Sequence, residues 1–240
     1  MTVTVYIPAY NEEKNLENAV AGALDAVKSH ADDYEIIILD ACSSDRTAEI
    51  AKKVAENHSN IRVIHPGRWA GMGANFMVAA RQAKMEYFVM FPGDNENSSE
   101  SLAHAIALAG KADVITSYTL NSEVRSLHRR MISSAFVAVM NSLFGLKLKY
   151  YNGNAVYKTR DLKKLEVKSE DFAYNAEILV KLIKSGHSYY EHGTLIKPTT
   201  KTAIFGINNI FGVLMTVCSL FYDVRIKNRR RYRNMGEAVL

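Results

Sequence analysis

Two carboxylates separated by a single residue mark the stretch "MFPGDNENSSE", Met90 to Glu100, where Asp94 follows Pro92 and precedes Glu96. Closely spaced carboxylates at the end of an apolar run suit a hard divalent cation or a phosphate held through one, since Mg²⁺ and Mn²⁺ take carboxylate oxygens. Pro92 stands where a further carboxylate would be expected and offers no ligand. "AYNEE", directly after Pro8, carries Tyr10, Asn11 and Glu12, and "LDACSSDRT" carries Asp40 and Asp45. Asp45, just ahead of "RTAEI", suits the cap of a helix. Asp40 closes an apolar run and is placed for a ligand instead.

These polar stretches need elements to carry them. "VTVYIP", residues 3–8, "YEIIILD", residues 34–40, and "IRVIH" read as strands, being short, apolar and rich in β-branched or aromatic residues. Between them, residues 15–28 place Leu16, Val20, Leu24 and Val27 at helical spacing, and "RTAEIAKKVAENH" continues a second helix. "GMGANFMVAARQA" leads a glycine loop into a third helix, "YFVMF" is the strand that delivers "PGDNEN", and "ADVITSY" is a further strand. Strand and helix alternating in this order predict an α/β fold with a mostly parallel central sheet and helices on both faces. Ligands bind beyond the carboxyl ends of such strands, where Asn11, Glu12, Asp40, Asp94 and Glu96 all fall.

From residue 125 the pattern changes: "RSLHRRMISSAFVAVMNSLFGL" is helical with a basic start, "YYNGNAVYK" is a turn entering a strand, and "EDFAYNAEILVKLIKSG" is a helix opened by acids. Thr202 to Tyr222 runs 21 residues without a charge. Within it Asn208, Gly212, Thr216 and Ser219, continued by Asp223, make a narrow polar stripe at helical spacing. Such a stripe suits a helix lying in a membrane interface or docked on the domain, and the interfacial helix is the expectation. The formal net charge of +5 is concentrated in "RIKNRRRYR", Arg225 to Arg233, which suits an anionic membrane surface. With Tyr232 as its one interleaved aromatic, that run gives no reason to expect nucleic acid. The partition is therefore residues 1–201 as one domain and 202–240 as an amphipathic appendage with a basic tail. Two distant cysteines, Cys42 and Cys218, and the lack of a leader-like start favour a reducing, cytoplasmic setting, peripheral to the cytoplasmic face of a membrane.

"PAYNE", "LDACSSDRT", "GMGAN" and "YFVMFPGDNENSSE", in that order, resemble the family-2 glycosyltransferases of the GT-A, Rossmann-like fold, most of all the dolichyl- or polyprenyl-phosphate mannose and glucose synthases. The resemblance runs to about Lys201. It implies an inverting, metal-dependent hexosyltransferase taking a GDP- or UDP-linked sugar to a polyprenyl phosphate. Pro8, Tyr10 and Glu12 with Asp40 would hold the base and ribose, and Asp94 with Glu96 would hold Mg²⁺ or Mn²⁺. Pro92 takes the place of the family's first aspartate there, and Ala41 and Cys42 depart from its Asp-Asp-Gly segment. Lys197 and Lys201 stand where the family sets basic residues against the donor diphosphate. "HRRMIS" resembles its acceptor segment, which would put Arg129 or Arg130 and Ser133 on the lipid phosphate, with Arg125 nearby; guanidinium forks suit that group.

"SEDFAYNAE" keeps two readings open. With a hydroxyl acceptor, the resemblance makes Asp171 the catalytic base; with a phosphate acceptor no base is needed, and Glu177 matches the lipid-phosphate subgroup. Glu170 and Asp171 can also simply favour the positive end of a helix. A third possibility, prompted by Pro92 and by an "NGN" turn that keeps only Gly153 and Tyr157 of the family pattern, is a catalytically weak nucleotide-sugar or membrane-binding protein.

Overall fold

In the computed structural model, residues 1–94, 97–170, 173–197 and 207–239 are described. The first half alternates as expected: β1 (Thr2–Ala9), α1 (Leu16–Lys28), β2 (Asp33–Asp40), α2 (Thr47–Glu56), β3 (Ile61–Ile64), α3 (Met72–Gln82), β4 (Tyr87–Met90), α4 (Ser99–Ala107) and β5 (Val114–Thr119). Then come α5 (Leu127–Phe144), β6 (Ala155–Lys158), α6 (Thr159–Lys163), α7 (Tyr174–Lys184), β7 (Tyr189–Thr194) and α8 (Ile207–Phe221), which runs on into a π-helical turn, Tyr222–Lys227.

One seven-stranded sheet has the order β3-β2-β1-β4-β6-β5-β7. All neighbours are parallel except β6, which runs antiparallel to both β4 and β5. The chain steps outward from β1 to β3, then returns to lay β4 on the other side of β1. That reversal opens a crevice at the carboxyl ends of the central strands.

Alternation along the strands builds two core layers. Val3, Val5 and Ile7 of β1 pack with Leu16, Ala19, Val20 and Val27 of α1 and with Leu102 and Ile106 of α4. Tyr6 turns to the opposite layer, with Phe76 and Ala80 of α3, Phe144 of α5, and Ile178 and Leu179 of α7. Phe76, 1% exposed, ties α3 across this layer. Its ring meets Tyr6 at 5.9 Å, Phe88 at 5.2 Å and Tyr174 at 4.8 Å. Such pairs add about 0.5–1.5 kcal/mol each beyond area burial.

The C-terminal helix packs on that second layer. Val217, Leu220 and Val224 are buried in it, and the polar stripe turns inward at its end: Asp223, 5% exposed, pairs with Lys181 at 3.0 Å. Leu214, Met215, Phe221, Tyr222 and Ile226 stay exposed on the other side. No helix among the described residues is long and apolar enough to cross a membrane.

Candidate functional site

Backbone pairing assembles the crevice. Ala9 lies opposite Asp40 in the β1–β2 register, and Ala41 N–H donates to Ala9 O at 2.9 Å. On the other side of β1, Phe91 N–H donates to Tyr6 O at 2.8 Å and Gly93 N–H to Pro8 O at 3.2 Å. Pro8, Tyr10, Asp40 and Asp94 therefore leave three neighbouring strands at one edge.

Asp40 is 4% exposed. Its Oδ1 accepts from Ser43 N–H at 3.2 Å and its Oδ2 lies 3.4 Å from His65 Nδ1 at the end of β3. Tyr10, half exposed, meets the Trp69 ring with centroids 4.9 Å apart. Asn11 takes a left-handed φ of 55°, which Asn tolerates, and Ser44 N–H donates to its side-chain oxygen at 2.9 Å. Glu12 caps from the other direction: its carboxylate accepts from Asn15 Nδ2 at 2.7 Å, and Thr47 Oγ1 accepts from its N–H. Asp45 does what a cap does, accepting from the N–H groups of Thr47 and Glu13. Desolvation opposes its ionisation, but those hydrogen bonds and one from the Thr47 hydroxyl hold the carboxyl below the usual carboxylate range.

Asp94 is half-buried at the edge of the crevice. Its loop returns through Asn97, which bridges Ile196 just beyond β7, so Lys197 arrives beside the carboxylate stretch. Behind Asn97 a cavity of about 20 Å³, bounded by Ser117, Asn154, Thr194 and His192, has room for one water. Burial, with help from His104, pushes the His192 pKa down, so that ring is neutral. Glu96, Asp171 and Lys201 lie outside the described residues. Arg130 sits exposed in the first turn of α5, which Ser126 caps by accepting from Arg129 N–H.

The glycine loop has a steric reason. Gly73 N–H donates to Glu170 O at 2.7 Å, and a Cβ on Gly73 would stand 2.1 Å from Ser169 O. Glu170 is thereby held against the loop, ahead of α7, whose first residue is Tyr174. This corrects the expectation that Glu170 opens that helix. Glu177 is 3% exposed and accepts from Lys168 N–H, Ser169 N–H and, at 2.7 Å, from Lys181 Nζ. Asn175, which no motif singled out, fixes the "NGN" turn: its side chain donates to Tyr151 O and Gly153 O and accepts from the Tyr157 hydroxyl at 2.6 Å. Trp69 was likewise invisible to motif reading; its loop position between a strand and a glycine is the one signal available.

Among the described residues no three His, Cys, Asp or Glu side chains cluster as a metal site. At the described crevice edge Asp94 offers carboxylate oxygen, a donor chemistry that fits a hard cation and not a soft one.

The model of glycosyl transferase family 2 matches residues 4–166. An undecaprenyl-phosphate 4-deoxy-4-formamido-L-arabinose transferase of Photorhabdus laumondii is 30% identical over 151 residues, 62% of this chain and 46% of that one. A dolichol-phosphate mannosyltransferase of Pyrococcus furiosus is 27% identical over 144 residues, 58% of this chain and 40% of that one. The chain thus spans less than half the length of these two relatives. Among solved structures, glucosyl-3-phosphoglycerate synthase of Mycobacterium tuberculosis in complex with uridine diphosphate superposes with a TM-score of 0.68 at 16% identity, covering 92% of this chain and 79% of that one, a likeness of fold. With the family model spanning all four ordered motifs, the chain belongs to glycosyl transferase family 2.

Proposed function

We propose that the protein transfers a hexose from a UDP- or GDP-linked donor to a polyprenyl phosphate, with inversion, at a membrane surface. The observation that carries this reading is the arrival of Pro8, Tyr10, Asp40 and Asp94 side by side at the carboxyl ends of β1, β2 and β4. The two relatives named above supply the acceptor class, since their names specify undecaprenyl and dolichol phosphates.

Pro8, Tyr10, Glu12 and Asp40 bind the base and ribose, with the Asp40 carboxylate accepting from a base N–H or a ribose hydroxyl. Asp94 with Glu96 would hold Mg²⁺ or Mn²⁺, which when bound neutralises charge on the departing diphosphate. Lys197 and Lys201 add positive charge there, and Arg130 grips the lipid phosphate. An oxygen of the lipid phosphate attacks the anomeric carbon from the face opposite the leaving group. The bond from that carbon to the diphosphate oxygen breaks, releasing the nucleoside diphosphate. The attacking oxygen is already anionic, so no general base is required and Asp171 is spared that role. Residues 1–201 do the chemistry. Residues 202–240 hold the domain to anionic lipid through the exposed apolar side of α8 and the following arginines.

The test incubates the protein with radiolabelled UDP- and GDP-hexoses, a polyprenyl phosphate and Mn²⁺, with free sugars offered in parallel. Label entering the lipid, undiminished in Asp171→Asn, is the expected result. Label entering only a sugar hydroxyl, and lost in Asp171→Asn, would replace this reading with transfer to a hydroxyl acceptor.

A further inference from the structure

His192 is 5% exposed on β7, and neither of its ring nitrogens has a hydrogen-bond partner among the described residues. The Gly193 main chain approaches the ring without meeting it as a partner. His192 lies opposite Ser117 in the β5–β7 register, and the His104 ring of α4 packs edge-on against it with centroids 5.2 Å apart. A neutral imidazole has one donor and one acceptor, so burial without partners costs the desolvation of both. The cavity of about 20 Å³ that the ring lines holds one water, and Asn97, Ser101, Ser117, Asn154 and Thr194 surround the same space. Thr194 Oγ1 donates to Ser101 Oγ at 2.8 Å and Ser117 Oγ donates to Asn154 O at 3.0 Å, which leaves lone pairs on these oxygens for a further donor. A water donates and accepts at once, and so complements both nitrogens of the ring and the oxygens around it.

The walls of this cavity belong to segments that reach the crevice edge. Asn97 is the return of the Asp94 loop and bridges Ile196, Asn154 leads into β6, and Thr194 ends β7 shortly before Lys197. We propose that His192, through one buried water, is the positioning residue that fastens the return of the Asp94 loop to the end of β7 and so sets Asp94 against Lys197; its effect on transfer rests on the donor-site reading given above.

The full chain, with its histidine rings labelled with ¹⁵N, is studied by NMR, and the His192 signal is assigned by its loss in His192→Gln. A neutral ring whose N–H shows a cross-peak to a long-lived water is expected. Hydrogen exchange read by mass spectrometry then follows the segments 94–101 and 190–197 in the wild type, in His192→Gln, which keeps a donor and an acceptor, and in His192→Leu, which keeps neither. Exchange in both segments is expected to quicken about tenfold in His192→Leu and to stay near the wild-type rate in His192→Gln, with the rest of the chain unaltered. Where His192→Leu does not fold, His192→Val, which suits a strand, takes its place. In the transfer assay the Mn²⁺ concentration for half-maximal rate should rise several-fold in His192→Leu and recover in His192→Gln, with nucleotide Kd unchanged in calorimetry. A ring N–H without a water contact, unaltered exchange in His192→Leu, or equal effects of the Leu and Gln variants would overturn the proposal. Absence of transfer in the wild type, with the water contact and the exchange pattern as expected, would overturn the transferase reading and leave His192 as the fastening of the loop.

Discussion

Asp40 and Asp94 reach the crevice through strand register, so their positions are set by main-chain hydrogen bonds rather than by side-chain recruitment. That makes each a separable test of ligand contact. Asp40→Asn should weaken nucleotide binding by about tenfold to a hundredfold in calorimetry, the span of a hydrogen bond to a charged group of about 1.5–3 kcal/mol. Asp113, at the foot of β5, serves stability instead. Burial works against its charge, but Lys158 at 2.6 Å and the Ser188 hydroxyl and N–H hold its pKa down at about 2. A depressed carboxylate contributes stability that is complete above the unfolded value of about 3.9 and is lost as pH falls through the folded one. Denaturant unfolding between pH 4 and 2 should therefore show a slope that flattens in Asp113→Asn. Asp40 was legible in the sequence because it closes an apolar run, and Asp45 because a helical pattern follows it. Trp69 was not, since a loop aromatic has no periodicity to give it away. Asn175 was hidden inside a helical pattern that accounted for its neighbours but not for its three hydrogen bonds.

Among the elements, α7 and the π-helical turn that continues α8 are joined by charge buried between them. Lys181, 1% exposed, lies between Glu177 at 2.7 Å and Asp223 at 3.0 Å. Desolvation alone would lower its pKa, yet the two carboxylates raise it, and it stays a cation. Lys181→Met should cost about 3–5 kcal/mol in denaturant unfolding because it strands two buried carboxylates, whereas Asp223→Asn, which leaves the Glu177 pair intact, should cost less. The glycine loop gives a second test. In Gly73→Ala the Cβ cannot be housed 2.1 Å from Ser169 O, so the Ser169–Glu170 backbone must move off α3. Loss of transfer with a lowered thermal midpoint is expected. The helices α1, α2, α3 and α5 and five of the strands could be read from periodicity. The start of α7 could not, because the backbone before it is held by a distant loop. The C-terminal stripe left an interfacial helix and a docked one both open, since the two share one pattern until a partner such as Lys181 is known.

At the scale of the whole molecule, alternation of strand and helix was enough to give a mostly parallel sheet with helices on both faces. The antiparallel β6 was not foreseeable, because "AVYK" carries no information about direction and only its two neighbours define it. The sheet's reversal at β1 and β4 is what turns four separate motifs into one crevice. The outer side of α8 and the run from Arg225 to Arg233 are the surface proposed above to meet anionic lipid. Reversing Arg229, Arg230 and Arg231 to Glu should abolish sedimentation with anionic vesicles at low salt while leaving transfer to a detergent-dispersed acceptor intact. Binding by the wild type should weaken as ionic strength rises. The central claim, that the crevice carries out metal-assisted glycosyl transfer through Asp94 despite Pro92, is tested most directly by the initial rate of hexose transfer to polyprenyl phosphate as Mn²⁺ is titrated, in the wild type and in Asp94→Asn. The wild-type rate is predicted to rise and saturate with Mn²⁺ and the variant's to stay at background. An Asp94→Asn protein with full transfer and an unaltered Mn²⁺ response would contradict the account.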